Sequence, residues 1–392
     1  MAAYIIRRLL LIIPTMLGVM LISFIIIQFA PGGPVEKVIA QVSGTDVSAT
    51  ARIGGTQGGD FGAGQSGAAA GGDSTSQYRG SQGLDPEFIK ELEKQFGFDK
   101  PAHERFFLMM TNYLMFDFGN SYFRDTPVID LIKEKLPVSI SLGLWLTLLT
   151  YLVSIPLGIR KAVKDGAMFD VWTSGLLVVG YAIPSFVLGV LLIVFFAGGS
   201  FWNIFPLGGL TTADWQNLPD VIRSAYPADK VDISAHPWTY LSWYWKVVDY
   251  FWHLTLPLLA LGVGTFTTMA FLTKNSFLDE IQKQYVITAR AKGLTENQVL
   301  YGHVFRNAML IIIAGFPGAF LSAFFSGSLL IETIFNLDGL GLLSFKSIID
   351  RDYPVVFATL YIFSLLGIIV HLLADITYTL VDPRIDFETR EV

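Results

Sequence analysis

The sequence is poor in the residues on which soluble and disulfide-stabilised proteins depend. It contains no cysteine, which excludes disulfide bonds and thiolate metal sites. Only 15% of its 392 residues are charged, while 52% are hydrophobic, which is far from the balance of a soluble globular domain. The net charge of −6 does not identify partners, because the placement of lysine and arginine matters more than their sum in a membrane protein.

Signatures of catalysis and of nucleotide binding are missing as well. No glycine–lysine dipeptide occurs anywhere, so the chain lacks the loop that cradles ATP phosphates in P-loop proteins. The five histidines are scattered without a metal-ligand spacing, and no serine lies in a Gly-x-Ser-x-Gly context. These absences argue against an enzyme, and any ATP chemistry would have to come from another chain.

The sequence does contain six apolar runs, each near the roughly 20 residues that a helix needs to cross a bilayer. They predict an all-α polytopic membrane protein with six transmembrane helices, at 9–29, 138–159, 171–197, 254–272, 309–331 and 355–380. The middles of these runs hold almost no ionisable residues, which argues against an ion-coupled secondary transporter. His371 and Asp375, four residues apart, could relay protons, but contacts of Asp375 near the cytoplasmic boundary are the favoured interpretation.

The distribution of basic residues predicts the orientation of these helices. Arginine and lysine cluster before the first run, after the second, between the fourth and fifth, and after the sixth. The positive-inside rule therefore predicts that both termini are cytoplasmic. The first apolar run is longer than the core of a signal peptide, so we expect a retained membrane anchor with an extended exit at residues 31–34.

The segment 285–307 is basic and helix-forming, and it lies between two apolar runs. Gly293 suits the end of a first helix, where a positive φ angle is inexpensive only for glycine. Thr295 and Gln298 have the spacing of a capping box for a second helix, and Leu294 and Val299 suit the accompanying hydrophobic staple. With Ala289 and Gly293 four residues apart, we predict a helix–turn–helix with one face small enough for close approach by another surface.

This pattern resembles the cytoplasmic coupling loop of binding-protein-dependent ABC importers, in the dipeptide/oligopeptide permease family. The matching residues are Tyr285, Thr288 to Leu294, His303, and Arg306 to Ala308. Ile287, Thr288 and Ala289 stand where the motif of the wider superfamily has an acidic residue and two small ones, while its glycine remains as Gly293. The resemblance extends to the Asp-Pro-Arg-Ile tail at 382–385, and the Leu-Asp-Gly-Leu-Gly variant at 337–341 is similar to the oligopeptide and microcin C branch. The alternative is an ordinary basic loop that obeys the positive-inside rule.

The resemblance implies a type I ABC importer core and a set of ATPase-coupling residues: Thr288, Ala289, Arg290, Ala291, Lys292, Gly293, Leu294, Thr295, Arg306 and Asn307. Arg290 and Lys292 would anchor the segment electrostatically. The implied partners are a homologous second permease, two ATP-binding subunits or one fused ATPase, a periplasmic substrate-binding protein and membrane lipid, with no nucleic acid. This chain would hold no cofactor, because ATP and magnesium would be bound by the ATP-binding subunits.

The implied solutes are oligopeptides or peptide-like compounds, with microcin C as one candidate, imported across the bacterial inner membrane. The alternatives are another solute, such as nickel or glutathione, carried by a permease of the same superfamily, or a secondary transporter. No substrate-contacting residue can be assigned from the sequence.

The predicted organisation has four parts. Residues 1–30 form the first transmembrane helix, and residues 382–392 form a cytoplasmic tail. Residues 31–136 form a periplasmic region with a flexible insert, rich in glycine, serine and alanine, at 43–83 and helices at 85–136. Residues 137–381 form the permease core, with five transmembrane helices and a cytoplasmic coupling loop at 274–307.

Two features of the predicted periplasmic side carry further expectations. Pro86 suits the first turn of a helix, a second helix begins near Pro101, and a turn follows at 117–122. Six of the eight tryptophans fall between Trp202 and Trp252, where interfacial or packing roles are favoured over the lining of a substrate entrance.

Overall fold

A computed structural model describes residues 2–29, 33–42, 86–95, 97–199, 201–226, 237–325 and 329–381. Within these ranges the chain is helical, and no β-strand is formed. The helices are α1 (Ala2–Phe29), α2 (Pro34–Val42), α3 (Pro86–Gln95), α4 (Ala102–Leu114), α5 (Val128–Val163), α6 (Met168–Ala182), α7 (Ser185–Phe196), α8 (Asp220–Ser224), α9 (Trp243–Ile281), α10 (Gln284–Ala291), α11 (Glu296–Val299), α12 (Phe305–Phe325), α13 (Leu329–Ile334), α14 (Leu340–Asp350) and α15 (Tyr353–Val381). The predicted insert at 43–83 and the tail at 382–392 lie outside the described residues.

Among the described residues, five helical segments are long and apolar enough to cross a membrane, and one bent pair of helices brings the number to as many as six. The all-α membrane architecture is therefore confirmed. The third predicted helix, at 171–197, is wrong as a single rod, because α6 and α7 meet at an angle of 96°. Pro184 explains the break, since it lacks an N–H group and forces Ile183 into an extended conformation with φ −85° and ψ 119°.

Several predicted boundaries also differ from the structure. The predicted border at 136/137 falls inside α5, and the predicted start of the coupling loop at 274 falls inside α9. Both helices continue beyond their apolar stretches into polar sequence, which hydropathy alone does not reveal. The predicted extended exit is wrong at its end, because Pro34 begins the helix α2 as an N-terminal proline can.

The contacts of the chain group it into two compact units. The first unit comprises Met1–Leu10, Glu134–Leu343 and Leu365–Val392, and it contains most of α5 together with α6 to α13. Two of the apolar clusters in its described interior involve the long helices. One lies beneath α10 and α11, and the other joins α5, α7, α9 and α13.

The second unit comprises Leu11–Lys133 and Ser344–Ser364. Val35 and Ile39 of α2 pack with Leu92 of α3 in a small apolar core. The predicted turn at 117–122 is present, with Gly119 at φ +69°. Within this unit the Asp352 carboxylate accepts hydrogen bonds from Ser121 Oγ at 2.5 Å and from the backbone N–H of Tyr122 at 3.0 Å. These bonds tie the turn to the start of α15.

The tryptophans of the region 202–252 have mixed environments. Trp215 is buried in a cluster with Leu218, Ile222 and Leu241, whereas Trp243 is 76% exposed. Trp245, two residues after Trp243, packs on the same cluster, as the angular spacing on a helix requires.

Candidate functional site

Helix α9 connects every candidate site of the first unit. Its 39 residues make it about 58 Å long, whereas the hydrocarbon core of a bilayer is about 30 Å thick. Helix α9 is therefore too long to lie wholly within the hydrocarbon if it crosses the bilayer. The segment predicted to couple to an ATPase follows its C-terminal end, and a cavity is lined by its central residues.

The predicted coupling segment, for which we use residues 282–307 of the predicted loop 274–307, has the expected helix–turn–helix form. Gly293 has φ +83°, and a Cβ at this position would meet no atom within 4 Å, so the glycine is required by its backbone conformation and not by lack of space. The capping box is also present: the Thr295 hydroxyl accepts from the backbone N–H of Gln298, and the Gln298 side chain accepts from the backbone N–H of Thr295 at 3.0 Å.

An apolar cluster holds the coupling segment against the rest of the unit. Val286 and Ala289 of α10 and Val299 of α11 pack with Phe277 of α9. Leu294 packs on the same cluster, in agreement with the predicted staple. The expectation that Ala289 forms part of a contact face is wrong, because this residue is only 7% exposed and points into the cluster. Its small size allows α10 to approach its own core.

The exposed face of α10 lies opposite Ala289. Gln284, Ile287, Thr288 and Ala291 are exposed at the spacing of one helix face. Ile287 is 51% exposed, although it lies outside the membrane-spanning helices, where a large apolar side chain in water suggests a partner surface. In the sequence, this exposed face is marked by Ile287, which stands where the superfamily motif has an acidic residue.

The charged residues of the segment have different roles. Arg290 makes a bidentate ion pair with Glu296, with Nε–Oε1 and Nη2–Oε2 distances of 2.9 and 3.0 Å, so its guanidinium braces α10 against α11. Lys292 and Arg306 are exposed, and neither forms an ion pair within the described ranges. Both side chains remain available to a partner.

Tyr285 and Asn307 connect the two ends of the segment. The Tyr285 hydroxyl donates to Glu280 at 2.7 Å and is also bonded to Asn307. Burial raises the pKa of Tyr285, the Asn307 bond opposes this rise, and the Glu280 carboxylate adds to it.

Between α11 and α12 the chain forms a π-helical turn at Leu300–Val304, a feature that the sequence did not predict.

A buried charge cluster lies about two helical turns before the coupling segment. Lys274 of α9 pairs with Asp170 at 2.7 Å and with Asp165 at 2.8 Å, while Lys161 of α5 pairs with Asp170 at 3.0 Å. The Lys161 side chain is fully buried and also donates to Thr173 and Ser174 of α6. The prediction that the apolar runs hold almost no charge missed this cluster, because its members lie near the ends of three different helices.

The cluster joins α5, α6 and α9 at one level. Close packing reinforces the connection, since a Cβ at Gly158 of α5 would lie 2.5 Å from the Cβ of Thr273. Helix α6 then runs from Asp170 to the break at Pro184, so this cluster links the helix that leads into the coupling segment with the broken helix pair.

A cavity of 610 Å³ lies between α5, the α6–α7 break and the middle of α9. None of its described lining residues is charged. Seven of them carry hydroxyl groups: Thr147, Thr150, Tyr151, Tyr181, Ser185, Thr265 and Thr268. The Thr147 hydroxyl is buried without a hydrogen-bond partner in the described part of the chain, so a solute or water in the cavity would satisfy it. Broken helices that line a cavity are common in membrane transporters.

The remaining polar motifs have structural roles. The buried Glu332 carboxylate accepts from the Leu342 N–H at 2.7 Å, and a Cβ at Gly339 would lie 2.7 Å from its carboxyl carbon, which explains glycine there. Asp338, the variant residue of this motif, pairs with Lys135 at 2.6 Å.

Asp375 makes the predicted contact with a basic residue. The Asp375 carboxylate pairs with Arg8 at 2.9 Å and accepts from the Tyr4 hydroxyl at 3.0 Å. His371 instead bonds through Nδ1 to the Gly367 carbonyl at 2.8 Å.

Comparison with known proteins identifies the family. Residues 154–387 match the model of the binding-protein-dependent transport system inner membrane component. The chain is 61% identical over 392 residues to the peptidoglycan transport system permease protein YejB of Agrobacterium fabrum, and 54% identical over 390 residues to the inner membrane ABC transporter permease protein YejB of Escherichia coli O157:H7, with all of both chains covered in each case. It is 31% identical over 392 residues to the oligopeptide transport system permease protein AppB of Bacillus subtilis, covering 99% of this chain and 100% of that one. The chain belongs to the family of binding-protein-dependent ABC importer permeases, and it is a multi-pass inner-membrane transport component.

Proposed function

We propose that this chain is one of two permease subunits through which an ABC importer moves peptides or peptide-like solutes into the cytoplasm. A homologous second permease, two ATP-binding subunits or one fused ATPase, and a periplasmic binding protein complete the assembly. ATP and magnesium are bound by the ATP-binding subunits. Both termini of this chain are cytoplasmic, on the same side as the coupling segment.

The observation that carries this proposal is the preorganised coupling segment at the end of α9. Its turn is set by Gly293, its second helix is capped by Thr295, and its base is held by Val286 and Val299 in the apolar cluster. The segment is therefore a rigid body that presents Ile287 and Thr288 outward. Lys292 and Arg306 add positive charge for an acidic groove on the ATPase.

The buried cluster of Lys161, Asp170 and Lys274 would transmit a displacement of the coupling segment to the helices around the cavity. A displacement of the coupling segment reaches α9 directly and reaches α6 through Asp170. Helix α6 borders the cavity through Tyr181. Alternation between two global states needs such differential contacts, and the break at Pro184 is where α6 and α7 can change their angle.

The names of the relatives support the peptide class, and the cavity agrees with it. Its uncharged, hydroxyl-rich lining can exchange hydrogen bonds with peptide amides without selecting a particular charge. The name of the relative from Agrobacterium fabrum suggests peptides derived from peptidoglycan. Microcin C is a more specific candidate solute. Asp338 of the motif at 337–341 does not support it, because the ion pair of Asp338 with Lys135 already explains an aspartate at this position.

Purification from native membranes in a gentle detergent, with mass spectrometry of the proteins that accompany the chain, tests the assembly. We expect a homologous permease and an ATPase, both lost in the variant Gly293→Asp while the chain itself remains inserted. Recovery of a stable chain without any ATPase would overturn the importer proposal.

Uptake by cells in which this permease belongs to the only peptide importer tests the solute class. Radiolabelled tripeptide, peptidoglycan-derived tetrapeptide and microcin C are compared, with nickel and glutathione as controls. Import of nickel or glutathione without any of the first three would contradict the peptide class.

A further inference from the structure

A second, more polar pocket lies near the other end of α9. We call it the loop pocket. It has a volume of 750 Å³ and is formed by residues of the ranges 197–199 and 203–223 together with Trp252, His253 and Asn336. All of these residues belong to the first unit. About 29 residues of α9 separate Trp252 from the coupling segment, a distance of about 43 Å along the helix.

The walls of the loop pocket are held in place by three contacts. The buried Asp249 carboxylate accepts from the Thr212 N–H at 2.9 Å and from the Thr212 hydroxyl at 2.5 Å. The Gly209 N–H donates to the Phe335 carbonyl at 2.9 Å, where Gly208 has no room for a Cβ. Trp252 Nε1 donates to the Ile204 carbonyl at 2.8 Å. The pocket is therefore preformed, as small-molecule sites usually are.

Unpaired carboxamides are the main chemical feature of the loop pocket. Four line it: Asn203, Gln216, Asn217 and Asn336. None of their side chains has a hydrogen-bond partner within the described ranges. Each carboxamide offers both a carbonyl acceptor and N–H donors, so together they match a ligand whose groups also donate and accept.

His253 contributes a further polar atom from a buried position. Its residue is 5% exposed, and its Nδ1 lies 2.9 Å from the Asp249 carbonyl, which can only accept a hydrogen bond. Nδ1 therefore carries a proton, and Nε2 has no partner among the described residues. In the neutral ring this nitrogen accepts a hydrogen bond, so it complements a donor such as an amide N–H.

The lining has no net charge to select an ionic ligand. Arg223 and Asp220, the charged residues of the described lining, form an ion pair with each other. A phosphate or a carboxylate would compete with Asp220 for the guanidinium, and a cation would compete with Arg223. The pocket thus favours a neutral ligand with alternating donors and acceptors.

We propose that the loop pocket binds a neutral solute rich in secondary amides. The peptide backbone and the N-acetyl groups of amino sugars share this chemistry. This inference deepens the proposed function, on which the role of the pocket in transport rests, whereas binding itself is measured without transport. In an importer that receives its solute at this end of α9, the loop pocket would hold the solute before it reaches the cavity.

Saturation-transfer NMR on the full chain in lipid nanodiscs tests the proposal with three neutral probes. N-acetyl-trialanine amide represents the peptide, N,N′-diacetylchitobiose represents the amino sugar, and cellobiose has the same sugar framework without the amides. We expect one or both amide probes to bind and cellobiose not to bind. Binding of the peptide alone identifies a peptide subsite, and binding of diacetylchitobiose alone identifies a glycan subsite.

The variants Asn203→Ala and Asn217→Ala test whether the probes bind in the loop pocket. Both residues are exposed and unpaired, so their truncation leaves the fold intact. We expect each to weaken the binding by about five-fold, through loss of one net hydrogen-bond contribution. Asn112→Ala, which removes an exposed carboxamide from α4, is the matched control and leaves the binding unchanged.

Three results would overturn the inference. Neither amide probe binds, cellobiose binds as tightly as the amide probes, or the Asn203 and Asn217 variants bind the amide probes as tightly as the unchanged chain does. Uptake by the assembled transporter separates this outcome from failure of the proposed function. Peptide import by a transporter whose permease binds no probe refutes the pocket alone, and probe binding without any import refutes the importer role alone.

Discussion

The two ends of α9 differ in how they hold their shape. At the C-terminal end, the coupling segment is shaped by neighbours in sequence: Gly293 sets the turn, and Thr295 bonds Gln298 three residues away. At the N-terminal end, the loop pocket depends on distant residues, since Thr212 and Asp249 are separated by 37 positions. The first kind of site can be read from a local pattern. The second exists only after the chain has folded.

This comparison predicts that mutations at the two ends fail in different ways. Mutation of a local turn or cap residue is expected to lower stability slightly and to leave the rest of the unit folded. Mutation of a long-range contact such as Asp249 is expected to remove an acceptor from several donors and to release the segment that it holds.

The largest effect is expected for Asp249→Ala. Its carboxylate accepts from the Thr212 N–H, the Thr212 hydroxyl and Trp238 Nε1, so the variant removes the acceptor of three hydrogen bonds at a buried position. We expect destabilisation of about 3–5 kcal/mol. Limited proteolysis at the segment 197–226 and thermal unfolding in detergent measure it. Asp214→Ala, which removes an exposed carboxylate from the same loop, should change neither result; equal effects of the two variants would refute the anchor.

A smaller effect is expected for Lys274→Ala, near the other end of α9. Asp170 keeps its pair with Lys161 but loses the second cation. We expect a loss of about 2 kcal/mol, below that of a fully unpaired buried charge. Solute uptake should fall more than ATP hydrolysis, because α6 is no longer tied to α9. Lys164→Ala, which removes an exposed lysine three residues after Lys161, is the control; a proportional loss of both activities in Lys274→Ala would argue against a transmitting role.

Gly293 offers a test of backbone conformation alone. A valine at φ +83° is expected to cost about 1–2 kcal/mol, although no atom stands in its way. Asparagine tolerates this conformation, so Gly293→Asn should retain most uptake while Gly293→Val loses it at an unchanged level of insertion. Similar uptake by both variants would show that the turn is not required.

The smallest effect is expected for Thr295→Ala. Loss of the N-cap should cost about 1 kcal/mol and loosen α11 without unfolding the unit. Hydrogen exchange of the Gln298 and Val299 amides should increase. Thr295→Ser keeps a hydroxyl and should preserve their protection; rapid exchange in both variants would contradict a capping role.

The agreement between sequence and structure follows the range of the interactions. The positive φ of Gly293 and the capping box of Thr295 were predictable because each involves residues within one turn. The break at Pro184 had a visible cause, yet hydropathy averaged over the run concealed it. The inward direction of Ala289 was missed because only the packed cluster distinguishes the two faces of so short a helix.

The sequence by itself determined the membrane class, the all-α architecture and the helix–turn–helix around Gly293, because apolar length and helix caps act locally along the chain. Only the tertiary structure decided which charges are buried together, as Lys161, Asp170 and Lys274 are, and where carboxamides converge, as in the loop pocket. Such groupings depend on how helices pack, and the energy of a buried charge depends on neighbours far away in the chain.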